Sequence, residues 1–381
     1  MRFAILSAHG SDAAYGGAEV AIQRLVSGLE DLGHEVGVIT GLPPTHPQPN
    51  FLGAVTRHPW RVSRTRHLTN VAMDAAALPS HRLEAMLRGF QPSAVLTHNL
   101  PGLSTSAWAV ARRLQIPVVH TLHDYYLLCR RTTLTRRSGQ PCRTLNFCAL
   151  RQRSILRYAS AVGHVLAPSQ FVADRHAGLF PAAPPIEVLA NPAGDDELRA
   201  IAAPSEFRRL GYLGRLDPTK GVALLLQSAS ELRKRGITLV IAGDGGMRGE
   251  VVRAAESGLI EYPGRVSGED KRRLLSECDA GIAPSLWDEP GGPTLSMAEW
   301  LQAGRPVFAS LRGGHTEVAR RGVGVVGFEP TRAGLLDTIA AWQGPRFGQL
   351  LERVRRDLSP SSSDHAERYV AAADAARHRI D

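Results

Sequence analysis

The sequence predicts an α/β protein with two doubly wound parallel sheets, and three observations carry that prediction. A chain of 381 residues, of which 43% are hydrophobic, is long for one core and suits two domains. Short apolar runs, typical of buried parallel strands, alternate with amphipathic helical stretches in both halves. Gly-rich turns follow several of these runs, at the edge where doubly wound sheets bind ligands.

The first predicted element is a βαβ unit. The apolar run at 2–8 predicts a buried strand, residues 18–33 predict an amphipathic helix with a glycine stop signal, and 35–40 predict the next strand. Gly16 and Gly17 precede the helix, so the backbone there can approach an anion or a sugar. A turn that only needs small residues is the alternative. The pattern is not Gly-x-Gly-x-x-Gly, which argues against a hydride-transfer enzyme.

Three histidines lie near the ends of the next two predicted strands. Residues 93–99 and 116–124 predict these strands, and His98, His120 and His123 fall at or near their ends. A histidine at a strand end in a crevice can hydrogen-bond to a ligand or take a proton near neutral pH. A structural histidine with satisfied hydrogen bonds is the alternative. We favour function for His123, which an aspartate and two tyrosines follow, and structure for the other two.

Two stretches show no long periodicity. Residues 42–80 are rich in Pro and Arg, which predicts long loops that shape an acceptor pocket. Residues 181–207 are rich in Pro and Ala and predict the interdomain linker, with the boundary near residues 190–205. Between them, the sequence predicts a strand at 161–169 and a helix at 169–178.

A strand, a turn and a helix open the second half. Residues 208–216 predict the strand, Asp-Pro-Thr-Lys-Gly predicts a turn, and 222–236 predict an amphipathic helix. Arg215 therefore ends a strand and Lys220 begins a helix, so both side chains can point into the crevice beside a positive helix end. A charge-assisted hydrogen bond contributes roughly 1.5–3 kcal/mol, and the helix end adds roughly 0.3–1 kcal/mol. Two cations in this place suit a leaving diphosphate.

The stretch Pro284 to Ser310 combines the remaining features of a ligand site. It joins a strand end, a Gly-rich turn, the acids Glu289 and Glu299, and the start of a helix. Upstream, a Gly-rich turn begins at Gly243 after a predicted strand. The strand-end turn that follows the next predicted strand carries two further candidates, Arg265 and Val266.

Arginine dominates the charge of the chain. The net charge is +9, and Lys220, Lys234 and Lys271 are the only lysines, so 42 of the 45 basic residues are arginine. This excess attracts polyanions, anionic lipids or nucleotide diphosphates. No basic stripe interleaved with aromatic residues and no nucleic-acid motif is present, so we expect no nucleic-acid partner. A solvated surface is the simplest interpretation, and weak association with a membrane surface is an alternative.

The cysteines and the apolar runs bear on metal binding and location. Cys129, Cys142 and Cys148 lie within about 20 residues, but no Cys-x-x-Cys pair is present, so an irregular Arg-rich loop with reduced thiols is favoured over a zinc site. We expect no metal and no cofactor. No run reaches the roughly 18 apolar residues that span a bilayer, and the apolar start lacks a cleavage site, so we expect a cytoplasmic protein.

These motifs together resemble the retaining glycosyltransferases of the GT-B fold, in the GT4-like family (glycosyl transferases group 1). The matching pieces occur in the order of the family: the Gly16–Gly17 loop, PVVHTLHD, GRLDPTKG, VIAGDGG and PSLWDEPGGPTLSMAEWLQAGRPV. The resemblance implies two Rossmann-like domains whose parallel sheets face a central cleft and close on the donor. It implies an acceptor-binding domain at 1–195, a nucleotide-sugar-binding domain at 205–355, and a C-terminal helix at 356–381 that returns to the first domain.

The resemblance also assigns roles to individual residues. Arg215 and Lys220 match the pair that binds the diphosphate, and His123 matches the histidine near the donor sugar. The later acid of the paired-glutamate motif, Glu299, is expected to grip the ribose hydroxyls, and the earlier one, Glu289, to orient the donor sugar. Substrate-binding residues are further expected at the Gly-rich turns and beside the nucleobase: Gly16, Gly17, Gly243, Arg265, Val266, Gly291, Gly292, Thr294 and Leu295.

One spacing departs from the family. Nine residues separate Glu289 from Glu299, where the family usually has seven, and strict counting back from Glu299 reaches Gly291. Either the turn carries a two-residue insertion and Glu289 still reaches the sugar, which we favour, or the acid role has changed. Pro293 has no amide hydrogen, so fewer donors in that turn can face a phosphate.

The function that the resemblance implies is transfer of a hexose-like sugar, with retention, from a nucleoside-diphosphate sugar to a hydroxyl acceptor. We favour a UDP-sugar as donor, and bacterial natural-product or cell-surface polysaccharide synthesis as the setting. The alternatives are another GT-B enzyme, such as a nucleotide-sugar epimerase or a phosphorylase, and a non-catalytic protein that binds sugar nucleotides.

Overall fold

The chain forms two compact units. A computed structural model describes residues 1–8, 16–41, 43, 50–55, 76, 78–129, 131–135, 142, 146–181, 185–192, 196–354 and 359–378. The first unit comprises the described residues up to Pro192 together with those from 361 onward, and the second comprises those from 196 to 360. Most of the predicted loop region 42–80 and part of the Arg-rich segment 129–148 lie outside the described residues.

The first unit contains a parallel sheet of seven strands in the order β3-β2-β1-β4-β5-β6-β7. The strands are β1 (Arg2–Ser7), β2 (Glu35–Thr40), β3 (Phe51–Ala54), β4 (Ala94–Thr97), β5 (Val118–Thr121), β6 (His164–Ala167) and β7 (Glu187–Val188). Loop was predicted where β3 lies, and linker where β7 lies, and both predictions are wrong at these positions. Both strands lie at sheet edges and have only four and two residues, so neither leaves a readable apolar period.

In the described part of the first unit, the α-helices that accompany this sheet before the chain leaves the unit are α1 (Gly17–Asp31), α2 (His81–Phe90), α3 (Ser106–Arg113), α4 (Asn146–Ile155) and α5 (Gln170–His176). The apolar spacing of α1 is confirmed, because Ile22, Leu25 and Leu29 are all buried against the sheet. Its end is set by Gly33, whose φ of 78° lies in the left-handed region that favours glycine.

The second unit contains a parallel sheet of six strands in the order β10-β9-β8-β11-β12-β13. The strands are β8 (Arg209–Leu213), β9 (Thr238–Ala242), β10 (Glu261–Gly264), β11 (Ala280–Ala283), β12 (Val307–Ser310) and β13 (Val325–Phe328). Its helices are α6 (Val222–Lys234), α7 (Arg248–Glu256), α8 (Gly268–Glu277), α9 (Leu295–Gln302), α10 (Gly314–Arg320), α11 (Arg332–Ala341) and α12 (Pro345–Leu351). The predicted amphipathic helix is confirmed as α6, whose Leu225, Ala229 and Leu232 enter the core.

The last helix, α13 (Ser362–Arg377), belongs to the first unit and packs on α1. The contact is close: a Cβ at Gly28 would lie 2.3 Å from the carbonyl oxygen of Ser362. The buried face of α13 is mainly alanine, with the ring of Tyr369 at its centre. Small residues on both sides therefore let the two helix backbones approach.

None of the described helices is both long and apolar enough to cross a membrane.

Candidate active site

The strand order of the second sheet brings two distant loops together. β8 and β11 pair in parallel although 66 residues of chain separate them, and the order of connection reverses at this pair. The loops that follow them therefore lie side by side at a topological switch point, the usual ligand site of such sheets. The loop after β8 carries Arg215 and Lys220, and the loop after β11 carries Glu289.

Local structure holds Lys220 just before α6. The Asp217 side chain accepts a hydrogen bond from the Thr219 amide at 2.9 Å and caps the short 3₁₀ turn Pro218–Lys220. Gly221 then turns the chain into α6 with a φ of 76°, and a Cβ there would lie 1.9 Å from the carbonyl oxygen of Pro284. Only glycine fits both the conformation and the space, so the loop after β11 fixes where Lys220 stands.

Lys220 and Glu289 form a buried ion pair. Lys220 Nζ donates to Glu289 Oε1 at 2.7 Å, Trp287 Nε1 donates to the same oxygen at 2.8 Å, and Ser285 Oγ donates to it as well. Only 3% of Glu289 is exposed. Burial alone would raise the pKa of Glu289, but the Lys220 ammonium and the Ser285 hydrogen bond outweigh burial and hold that pKa below its usual value. Glu289 is therefore a carboxylate at neutral pH.

Arg215 differs from Lys220 because its charge is exposed. The Tyr212 hydroxyl donates to the Arg215 carbonyl oxygen at 2.7 Å, which fixes the backbone at the end of the strand. The guanidinium makes no ion pair with any residue that the structure describes. It is therefore a cation that an anionic ligand could bind without first breaking a bridge.

The glycines after Glu289 pack against the loop after β12. The Gly314 amide donates to the Glu289 carbonyl oxygen at 2.8 Å. A Cβ at Gly292 would lie 2.6 Å from the Gly314 carbonyl oxygen, and a Cβ at Gly314 would lie 2.5 Å from that of Gly291. Tight packing of two loops therefore requires glycine here, in addition to any contact with a phosphate. Thr294 and Leu295 are partly exposed at the start of α9, where no side chain caps the helix.

Glu299 forms a second buried ion pair, which sequence reasoning missed. It lies on α9, and its Oε1 accepts a hydrogen bond from Lys271 Nζ of α8 at 2.9 Å. The sequence carried one signal for this partner: Lys271 is one of only three lysines in an arginine-rich chain. Nearby in sequence, Arg265 is exposed, whereas Val266 packs against the core.

Gly243 directly follows β9 and serves the fold. The Gly243 amide donates to the Gly264 carbonyl oxygen at 2.8 Å, and the Gly243 carbonyl oxygen accepts a hydrogen bond from the Tyr262 hydroxyl at 3.0 Å. A Cβ would lie 1.8 Å from the Gly214 carbonyl oxygen. Both backbone groups thus have partners within the unit, and substrate binding by Gly243 stays a prediction.

In the first unit, His123 is hydrogen-bonded to a second histidine. Its Nε2 lies 2.9 Å from Nδ1 of His98, and the two rings stack with centroids 5.1 Å apart. Burial lowers the pKa of His123 to about 4 and holds the pKa of His98 well below its usual value. Both rings are therefore neutral near pH 7, and one N–H donates to the other nitrogen.

The last helix supports this histidine pair. The ring of Tyr369 stacks on His98 with centroids 5.9 Å apart, and its hydroxyl lies 2.7 Å from the Thr121 hydroxyl. His365, one turn earlier on α13, packs against Tyr369 with centroids 5.2 Å apart. Sequence reasoning missed both residues, since nothing in the local pattern connects a C-terminal helix to a strand end 248 residues away.

His120 has a structural setting. Its Nδ1 lies 2.9 Å from the Thr97 hydroxyl, and Trp108 packs edge-on to its ring. Burial lowers the pKa of His120 to about 3. This agrees with the structural interpretation favoured for it from the sequence.

Asp124 is a half-buried residue directly after His123. Burial raises its pKa to about 7, and the nearby Glu19 carboxylate adds to the rise, although the Tyr126 amide donates to its Oδ1 at 2.7 Å. Glu19 lies in the first turn of α1, which begins after Gly16 and at Gly17. Residues 9–15 of that loop lie outside the described residues.

Within the part of the chain that the structure describes, no three His, Cys, Asp or Glu side chains are grouped to hold a metal ion. The four cysteines are free thiols, and Cys129 is buried.

Family profiles match both units. The profile of Glycosyltransferase Family 4 matches residues 15–197, and that of Glycosyl transferases group 1 matches residues 207–341, so together they span most of the chain. The chain belongs to the GT4-like group 1 glycosyltransferases. The predicted family and the predicted transferase class are therefore confirmed.

Two curated relatives are similar to this glycosyltransferase over most of their length. A D-inositol 3-phosphate glycosyltransferase of Thermobispora bispora is 25% identical, with 95% of this chain and 88% of the relative covered. An uncharacterized 42.6 kDa protein in the cps region of Klebsiella pneumoniae is 24% identical, with 80% and 84% covered.

Solved structures confirm the GT-B fold of the glycosyltransferase. HepE of Anabaena, in complex with UDP, superposes with a TM-score of 0.67 at 15% identity and covers 98% of this chain and 100% of its own. AviGT4, a glycosyltransferase of avilamycin A biosynthesis, has a TM-score of 0.59 at 18% identity and covers 99% and 98%.

Proposed function

We propose that this glycosyltransferase moves a hexose-like sugar from a nucleoside-diphosphate sugar, with UDP favoured, to a hydroxyl acceptor with retention at the anomeric carbon. The observation that carries the proposal lies at the switch point of the second sheet, where the loops after β8 and β11 meet. There, an exposed arginine that makes no ion pair with the residues the structure describes stands five residues before a lysine whose partner is a buried, ionised glutamate. The proposal includes a cytoplasmic location and no required metal or cofactor.

The chemistry of glycosyl transfer explains why these charges suit the site. As the bond to the leaving group breaks, positive charge develops on the sugar and negative charge accumulates on the diphosphate. Preorganised cations stabilise the negative charge at little reorganisation cost, which is the task proposed for Arg215 and Lys220. The amides of Gly291, Gly292, Thr294 and Leu295 are proposed to assist, and Arg265, Val266 and Gly243 to lie along the nucleoside.

Glu289 is proposed to contact the hydroxyls of the donor sugar. An ionised carboxylate accepts hydrogen bonds strongly, and its negative charge also favours a sugar that becomes positive in the transition state. Its contact with Lys220 supports the alignment that inserts two residues between Glu289 and Glu299. His123 is proposed to orient an uncharged hydroxyl, because both rings of its pair are neutral near pH 7. Gly16 and Gly17 are proposed for the acceptor side.

Relatives support this choice of donor and leave two settings open. HepE of Anabaena has been solved with UDP and with UDP-glucose. The relative in the Klebsiella cps region fits a cell-surface polysaccharide, whereas AviGT4 fits a natural product. Weak association with a membrane surface belongs to the cell-surface polysaccharide setting, because the net charge of +9 attracts anionic lipids.

A thermal-shift panel tests the donor. Binding to the folded state adds about 2.7 kcal/mol of stability at a ligand concentration 100 times Kd. We expect UDP and UDP-glucose to raise the melting temperature, GDP and ADP to raise it much less, and uridine alone to have no effect. If no nucleoside diphosphate raises it, the proposed donor class is wrong.

Product stereochemistry tests retention. A donor that stabilises the protein should release UDP only when an acceptor is added. The anomeric proton coupling of the product, measured by NMR, should then show the configuration of the donor. An inverted product would contradict the mechanism, while UDP release without any transferred sugar would point to hydrolysis.

A further inference from the structure

The pair Lys271–Glu299 is the most buried lysine contact in the second unit after Lys220–Glu289. The side chains of Lys271 and Glu299 are only 24% and 7% exposed, and their charged atoms are 2.9 Å apart. They come from different helices, α8 and α9. An ion pair buried to this degree does not stabilise a fold strongly, because desolvation of both charges offsets their attraction. A role in placing the carboxylate is therefore a better reason for it.

The residue type supports that role. Arginine supplies 42 of the 45 basic residues, yet lysine stands opposite each of the two motif glutamates. A guanidinium tends to take both oxygens of a carboxylate in a fork, whereas an ammonium is a point charge that engages one. Lys271 contacts Oε1 of Glu299. A carboxylate has about four lone-pair sites, so this contact leaves it able to accept further hydrogen bonds.

We infer that Lys271 is a positioning residue that compensates the buried charge of Glu299 and orients its carboxylate to accept hydrogen bonds from the vicinal hydroxyls of a ribose. The site then selects ribonucleotides over 2′-deoxyribonucleotides. The inference rests on the proposed function, in which Glu299 grips the ribose. Without the ammonium, the buried carboxylate would lose the charge compensation that Lys271 supplies and would turn away or take up water, and either change removes the paired acceptors.

Calorimetric titration with UDP and 2′-deoxy-UDP tests the inference. We expect the wild type to bind UDP roughly 10- to 100-fold more tightly, the range of one hydrogen bond to a charged acceptor. Lys271→Met should weaken UDP binding and bring the ratio below about threefold, while binding of 2′-deoxy-UDP changes little. Glu299→Gln should also lower the ratio. A role that only stabilises the fold would weaken both nucleotides equally and leave the ratio unchanged.

Lys234→Met is the matched control. Lys234 is the third lysine, lies 72% exposed and pairs with Glu231 on the surface of α6, so both affinities should match the wild type. If Lys271→Met does not fold, Lys271→Arg keeps the charge but covers both oxygens, and the ratio should fall in that variant instead. A wild-type ratio in the variant that folds overturns the inference.

The variants distinguish a failure of the role inferred for Lys271 from a failure of the ribose contact proposed for Glu299. If the wild type and Glu299→Gln bind both nucleotides equally, the ribose role of Glu299 fails, and the inference fails with it. If the preference is present in the wild type, lost in Glu299→Gln and kept in Lys271→Met, only the inference is overturned.

Discussion

The two switch points of this glycosyltransferase share a strand order but not a chemistry. In the first sheet, β1 and β4 adjoin at the reversal, and the nearby polar groups are neutral histidines, a tyrosine and a carboxyl whose pKa is raised to about 7. In the second sheet, β8 and β11 adjoin at the reversal, and the nearby groups are an exposed arginine and buried lysine–glutamate pairs.

The difference shows that one architecture can offer two chemically different surfaces to a ligand. The strand order places loops side by side, and the side chains in those loops determine which ligand charge the site can bind. Neutral rings can exchange hydrogen bonds with uncharged hydroxyls, whereas fixed cations compensate a diphosphate. We therefore expect perturbations of the second switch point to act through charge and those of the first to act through desolvation and packing.

The largest expected effect is a loss of catalytic activity when either cation of the second switch point is removed, and stability should distinguish the two variants. Arg215→Ala should lower kcat/KM roughly 10²- to 10³-fold, the range for removing one preorganised charge-stabilising donor. Because Arg215 is exposed and makes no ion pair with the described residues, the free energy of unfolding should change by less than about 0.5 kcal/mol. Steady-state kinetics with the identified donor and urea unfolding measure the two quantities.

Lys220→Ala is the contrasting variant. It should lose activity to a similar degree, and it should also lose about 3–5 kcal/mol of stability because Glu289 stays behind as an uncompensated buried charge. Lys234→Ala on the surface should change neither quantity. Equal stability losses in the Arg215 and Lys220 variants would refute the distinction between an exposed cation and a cation that is paired with a buried carboxylate.

The second prediction concerns how the stability of the first unit changes at acidic pH. His98, His120, His123, His176 and His365 of the first unit have lowered pKa values because burial disfavours their charged forms. Between about pH 6.5 and pH 4, the unfolded chain binds protons that the folded unit does not, so stability present above pH 6.5 falls as the pH drops. The raised pKa of Asp124 acts in the opposite sense but accounts for one proton against five histidines.

The second unit sharpens this comparison. Its sequence contains a single histidine, His315, whose pKa burial lowers to about 4. Urea titrations from pH 7.5 to 5, followed by hydrogen-exchange mass spectrometry, should show the first unit losing stability more steeply. His176→Phe should reduce its slope by roughly 1.4 kcal/mol per pH unit. Parallel losses in both units would contradict the prediction.

The smallest expected effect tests the helix that supports the histidine pair. Gly28→Ala would place a methyl group 2.3 Å from the Ser362 carbonyl oxygen, so α13 must shift away from α1. Overpacking of this kind costs roughly 1–3 kcal/mol. Gly89→Ala on α2 is the control, since a Cβ there meets nothing within 4 Å and alanine favours a helix. If Gly28→Ala is as stable as Gly89→Ala in urea unfolding, the close packing is not limiting.

Local patterns predicted the regular elements well. The apolar spacing of α1 and α6 predicted their buried faces. The turn Asp-Pro-Thr-Lys-Gly predicted a strand-to-helix junction that the structure contains. The short edge strands β3 and β7 were not predicted, because a strand of two to four residues shows no readable apolar period. Of the candidate site, the ordered motifs indicated Arg215, Lys220 and Glu289 together, although their roles stay proposals.

Contacts between distant residues could not be predicted from local patterns. Nothing adjacent in sequence connects Lys271 with Glu299, or Tyr369 with His98, because each pair is joined only when helices pack on a sheet. The glycines at 291 and 292 were predicted to face a phosphate. Their packing against Gly314 is a further reason for their lack of side chains, and only the folded loops show it.

The sequence by itself determined the two α/β halves, the family and the residue types of the site, since periodicity and motif order are properties of neighbouring residues. Only the tertiary structure decided that Glu289 keeps a charge partner despite its long spacing to Glu299, that a rare lysine stands beside Glu299, and that the last helix supports the histidine pair. The physical reason is that burial and electrostatic compensation depend on distances in space, and strand order rather than chain separation sets those distances.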